Sequence, residues 1–352
     1  MSLRYFAKNH LALLSAMGIL AGVSLAGLFF AGISVDATDL QRCADDSSCA
    51  SGELCVRSRC VSVECRDDEV CAKGSRCIAY QCVTPSCTRS SECNDGALCF
   101  DGQCRPPVYE LLGSDGREMA LVPGGAFLMG SSSDTAVSDE KPAHWVELDS
   151  FWLDQFEVSA ADYARCVSAG ACTEMGTLPG SDQTQCTYGQ EAHQNKPMNC
   201  VSWSAARNYC SWAGKRLPSE AEWERAAGGG QGINYPWGNA APSCKLTCRK
   251  EKEDGCGSKM PCVVGEKDGD LSPAGVRDMG GNVSEWVEDG YDPSYYDKCP
   301  RLRPHGVTDA DRKSVRGGDF VDLFDPLRVV SRDRLSPDLR SVTVGFRCAR
   351  SL

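Results

Sequence analysis

Histidine is scarce in this chain, with four residues in 352, at positions 10, 144, 193 and 305. So few, so far apart, do not make a histidine-built metal centre. His144, beside Trp145, reads as structural. Positive charge is also in short supply. Lys and Arg total 37 against 48 Asp and Glu, for a net charge of −11 with histidine neutral. That balance argues against nucleic acid or an anionic membrane surface as a partner. No spacing supports a Ser/His/Asp nucleophilic triad.

What is abundant is cysteine, at 23 residues, and glycine, at 35. Cysteine at this density points to an oxidising compartment. The N-terminus agrees. Arg4 and Lys8 precede Leu11–Val35, a run of 25 residues without a charge. A bilayer needs about 20 such residues. Residues 1–36 therefore read as a signal anchor that leaves the rest of the chain outside, so the protein is expected to be membrane-anchored and extracytoplasmic. A signal peptide cut near Ala37, giving a secreted protein, is the alternative.

The cysteines fall into two groups. Twelve lie in residues 37–105, in three units of C-x5-C-x5-C-x4-C that begin at Cys43, Cys65 and Cys87 and repeat every 22 residues. Gly52, Gly74 and Gly96 each follow the second cysteine of a unit by three residues, where a tight turn is needed. The units have too little apolar content for a core, so two disulfides apiece would replace one. Zinc is the competing reading, but the spacings are wider than CxxC and histidine is absent. The array reads as a stalk or as a binding arm. Arg105-Pro106-Pro107 closes it, and residues 106–118 read as a linker. The other eleven cysteines, Cys166 to Cys348, are an odd number, and Cys299 is the expected unpaired one.

Residues 119–352 carry an ordered series of motifs. Leu121–Ser131 (LVPGGAFLMGS) alternates around Gly124-Gly125 and predicts a hairpin. Val146, Leu148 and Phe151–Phe156 read as strands, and Ser159 as the cap of a helix that carries Tyr163. The segment from Pro197 to Gly230 predicts two helices, the second opened by a capping box of Ser219 and Glu222. YPWGN, DMGGNVSEW, RGGDF and GFRC follow.

In this order the motifs resemble the formylglycine-generating-enzyme, or sulfatase-modifying-factor, family. The resemblance implies an α+β domain with little regular structure, related to C-type lectins. It also implies a disulfide between Cys210 and Cys348. It places a structural calcium ion on Asp278, Gly281, Val283 and Glu285; otherwise Asp278 caps a turn and Glu285 pairs with an arginine such as Arg316. The family's other calcium site falls about where Cys248 stands and looks lost, with Cys244, Cys248, Cys256 and Cys262 left to brace that loop. Asn282-Val283-Ser284 is a glycosylation sequon inside a tight motif.

The family's chemistry uses copper held by two cysteines after a Gly-Gly-Ser turn to oxidise a substrate cysteine to formylglycine. Here the segment after Gly317-Gly318 contains no cysteine. Asp319 replaces the serine and Asp322 stands at the first ligand position. The second ligand position falls near Pro326 or Leu327. Ser284 replaces a tryptophan that lines the family's cleft. Copper is therefore not expected. The acidic run of Asp319, Asp322, Asp325, Asp333 and Asp338 is a solvated loop or a hard-metal site. The expected function is non-catalytic: a binding or accessory protein for a peptide, glycan or protein ligand. An oxidoreductase with an altered metal site or substrate is the alternative, and a structural component of an envelope complex is a third reading.

Overall fold

The computed structural model describes residue 43 and residues 46–352, apart from 57–58, 66–69, 79, 176–184 and 252–253. The anchor or signal segment expected over 1–36 lies outside the described residues. Among those described, no helix is long and apolar enough to cross a membrane.

Each cysteine unit is a small hairpin. Strands β1 (Glu53–Val56) and β2 (Arg59–Ser62) form the first, β3 (Arg76–Ile78) and β4 (Gln81–Val83) the second, β5 (Leu98–Phe100) and β6 (Gln103–Arg105) the third. In every unit the first cysteine bonds the third and the second bonds the fourth: Cys43–Cys55 and Cys49–Cys60, Cys65–Cys77 and Cys71–Cys82, Cys87–Cys99 and Cys93–Cys104. Gly52, Gly74 and Gly96 all take positive φ, as the shared turn requires.

The array is not a free-standing stalk. Its hairpin tips carry side chains that a unit without a core cannot bury, and these enter the neighbouring domain. Phe100 is buried in that domain's larger core. Asp101 meets Arg225 through two bonds of 2.8 and 2.7 Å. Tyr80 lies 4.8 Å from the ring of Trp145, and Leu54 packs against Tyr80 and Ala126. Arg76 donates to the carbonyl of Gln231 at 2.7 Å.

The domain then runs β7 (Tyr109–Leu112), β8 (Arg117–Val122), β9 (Gly125–Met129), β10 (His144–Leu148), β11 (Phe151–Asp154), α1 (Ala160–Ser168), α2 (Trp203–Trp212), α3 (Glu220–Gly228), β12 (Ser284–Gly290), β13 (Lys313–Arg316), β14 (Asp333–Leu335), β15 (Val344–Gly345) and β16 (Ala349–Ser351). The span read as a linker, 106–118, thus contains β7 and the start of β8. One sheet has the order β16-β11-β8-β7 and the other β14-β13-β12-β15. The predicted hairpin over Leu121–Ser131 does not form. β8 pairs with β7 and β11, whereas β9 pairs with β10 in a separate ribbon. The Gly124 turn passes so close to the 148–150 backbone that an added Cβ would lie 2.5 Å from the amide nitrogen of Ser150. The chain changes partners there instead of folding back.

Capping boxes open α1 and α3. The Ser159 hydroxyl accepts from Asp162 N–H and the Ser219 hydroxyl from Glu222 N–H; each acid returns the bond to its cap. Such a cap contributes about 1 kcal/mol. α3 is buried along its whole length and ends at Gly229, φ 56°. The Cys210–Cys348 disulfide ties α2 to the last strands across 138 residues, and Cys299 is the one cysteine left unpaired.

Arg225 has no exposed side-chain surface and Asp101 keeps 14%. Asp101→Ala leaves that guanidinium uncompensated. The expected loss is roughly 2–3 kcal/mol, discounted from ~3–5 for a fully buried pair. Denaturant unfolding of the oxidised full-length chain checks it; an unchanged midpoint would show that the array does not brace α3.

Candidate functional site at a double-glycine turn

β13 ends at Arg316 and runs into Gly317 (φ 98°) and Gly318 (φ 66°). Gly317 is forced by contact as well as by φ: a Cβ there would lie 2.9 Å from the Trp223 ring. The turn delivers Asp319 beside Thr343 and Phe320 onto the Asn282 carbonyl just before β12. The Asp322 carboxylate accepts from the Asp319 N–H at 2.9 Å, and the Asp319 carboxylate from the Val321 N–H at 2.9 Å. Ser284, half-buried at the head of β12, donates its N–H to the Thr343 carbonyl at 2.9 Å.

The wall opposite is a loop closed by two disulfides, Cys244–Cys256 and Cys248–Cys262. Those four cysteines brace the loop in the way the sequence allowed. The loop is sewn to the acidic segment by backbone bonds from Lys250 N–H to Asp322 O, 2.9 Å, and from Gly255 N–H to Phe320 O, 2.7 Å.

Burial pushes the Asp319 carboxyl up to about 7, with the neighbouring Asp322 and Asp333 charges adding to the rise. Asp322 is raised by the same burial and by Asp333. The donors here are hard carboxylates. Pro326 and Leu327, in a short turn, offer no ligand atom in their side chains. Copper(I) takes soft thiolates. The one free thiol, Cys299, is held up at about 12, chiefly by burial. The residues present do not fit a copper centre. Among the described residues, the sets of three histidine, cysteine or carboxylate ligands within 4.8 Å of one another are cysteines already in disulfides.

The four residues assigned to calcium occupy the neighbouring turn. Glu285 is bound by Arg347 at 2.6–2.9 Å and by the Trp223 indole at 2.9 Å. Its arginine partner is Arg347, not Arg316, which instead reaches Glu220 and Glu224. Asp278 accepts from the Gly265 N–H and is raised to about 6 by burial. Gly281 and Val283 are buried in the same turn, Gly281 closed in by Thr247 and the Cys248 carbonyl. Beside this turn, Glu157 and Asp270 each keep one buried carboxylate oxygen without a hydrogen-bond partner, and burial together with the Asp278 charge raises both. Asn282 is 1% exposed and bonded to Cys262 N–H and Glu157, so its sequon is closed to glycosylation. Sequence reasoning missed Glu157, Asp270, Thr343 and Arg249 here. Only Arg347 carried a signal, through its place in GFRC.

Asp319 binds a proton in the folded chain that the unfolded chain has already released between pH about 4 and 7. Its contribution to stability therefore falls as pH rises through that window and levels off above about 7. Asp319→Asn is expected to flatten that part of the wild-type curve of Tm against pH. Parallel curves for variant and wild type would contradict the shift.

Residues 110–352 match the sulfatase-modifying factor enzyme 1-like domain. The formylglycine-generating enzyme of Streptomyces coelicolor is 32% identical over 284 residues, covering 66% of this chain and 89% of that protein. The serine/threonine-protein kinase pkn1 of Chlamydia caviae is 33% identical over 248 residues, covering 67% of this chain but 38% of its own length. Among solved structures, PvdO from Pseudomonas aeruginosa superposes with a TM-score of 0.60 at 27% identity, covering 70% of this chain and 99% of that one.

Proposed function

This chain belongs to the sulfatase-modifying factor enzyme 1-like family, and from that premise we propose that it binds a partner at the double-glycine turn instead of oxidising one. The observation that carries this reading is the thiol-free turn: Asp319 and Asp322 stand there, and the chain's single free cysteine packs beside Tyr295. The family fold is kept, with its capping boxes and the Cys210–Cys348 bond. Eleven disulfides support an extracytoplasmic location, and the uncharged run over 11–35 supports a membrane attachment. The partner is a peptide, glycan or protein, and the net charge of −11 speaks against nucleic acid.

Purified full-length chain, given copper(I) and a cysteine-containing peptide, is expected to consume no oxygen above the copper-only control. Mass spectrometry of protein purified without added metal is expected to find no stoichiometric transition metal. Oxygen uptake coupled to loss of the peptide thiol would sink the proposal and favour an oxidoreductase with altered ligands. Asp322→Cys alone is expected to leave the protein inactive, because the second position still offers Pro326 or Leu327.

A further inference from the structure

Two large apolar side chains stand side by side in solvent on the segment that follows the acidic pair: Leu323 at 52% and Phe324 at 47% exposure. Exposed apolar groups scattered singly need no explanation, but a rigid adjacent pair does. This pair is held in place. Arg249, itself buried, donates to the Leu323 carbonyl at 2.9 Å and lays its guanidinium 4.7 Å from the Phe324 ring centre. Arg249 is fixed in turn by the Pro242 carbonyl and by the two disulfides of its loop. A buried arginine spent on displaying a phenylalanine gives an anchor that loses little freedom on docking.

The charge around the tip is one-sided. Asp319 and Asp322 accept backbone N–H groups, and Asp333 adds repulsion to both. The Asp325 side chain is 91% exposed and lies 3.9 Å from Arg328. The two guanidiniums that touch this segment are committed, Arg249 to Phe324 and Arg328 to a two-bond pair with Glu140 at 2.8 and 2.9 Å. A cation arriving here meets Asp325, whose arginine neighbour Arg328 sits 3.9 Å away and is shared with Glu140.

We propose that Leu323 and Phe324 form a docking tip for a polypeptide partner that presents an apolar side chain flanked by lysine or arginine. The apolar pair supplies the anchor, and Asp322 and Asp325 set the sign of the partner's charge. This rests on the binding role proposed above and names the chemistry of its partner.

The test uses the full-length chain and a short, cysteine-free, fluorescein-labelled peptide with one phenylalanine between lysine pairs. The controls replace lysine by glutamate or phenylalanine by serine, and a neutral hexasaccharide serves as competitor. Fluorescence anisotropy is expected to show binding of the lysine peptide, weakened roughly tenfold by Phe324→Ser. Asp325→Lys is expected to weaken it further and to reduce its salt dependence. Both side chains are exposed, so a matching Tm confirms that each variant is folded. Equal binding of the glutamate peptide, indifference to Phe324→Ser, or displacement by the hexasaccharide would each overturn the proposal. The peptide carries no thiol, so its binding is read apart from any oxidation. A chain that bound it and also oxidised a cysteine peptide would overturn the non-catalytic role and leave the docking tip standing.

Discussion

The fold turns on charge buried along α3. Glu220 and Glu224 lie inside the protein, and arginines from distant segments meet them there. Arg332 grips Glu220 at 2.7 and 3.0 Å, while Arg316 reaches both acids. The two arginines hold Glu220 below its ordinary range against the burial that opposes them. Glu224, reached by one guanidinium, stays above its own. Buried pairs of this kind add little net stability over apolar packing, but a missing partner is heavily penalised. They therefore act as a register. α3 sits correctly only when β13 and the 328–332 segment do, and this fixes where the double-glycine turn leaves the sheet. Trp223, between these acids, donates to Glu285 and packs over Gly317, so the same helix shapes both the calcium-like turn and the acidic one.

The acidic turn sets carboxylates on the family's scaffold. Ser284, Asp319 and Asp322 occupy places where the family resemblance expects tryptophan, serine and a thiolate. Burial, with Asp322 and Asp333 beside it, has lifted Asp319 toward neutrality. The surrounding walls are stiff, with two disulfides and a buried arginine behind the loop. Rigidity of that kind suits a surface that must keep its shape for recognition.

Local rules were legible in the sequence; choices among distant partners were not. Ser159 and Ser219 showed their caps because a capping box lies within four residues. The 22-residue period showed three self-contained units, and the odd cysteine count pointed to Cys299. Cys210 with Cys348 came through the family resemblance. The hairpin over Leu121–Ser131 failed because alternation states that two strands flank a turn, not that they pair. An arginine partner for Glu285 was legible but its identity was not, because several arginines satisfy a charge argument and only packing selects Arg347. The docking of the array was hidden because Phe100 and Asp101 look like ordinary hairpin-tip residues until Arg225 is known to be buried beneath them.

The pairing within each repeat also orders the chain in time. Every bond of the array spans 11 or 12 residues and closes inside its own unit. A chain emerging from its N-terminal side can finish each repeat as soon as that repeat's fourth cysteine appears, with only three pairings of four thiols to sort. Cys210 has no such neighbour and must wait 138 residues for Cys348. By then twelve thiols have been taken out of circulation, so the longest bond closes last, with few competitors left to mispair.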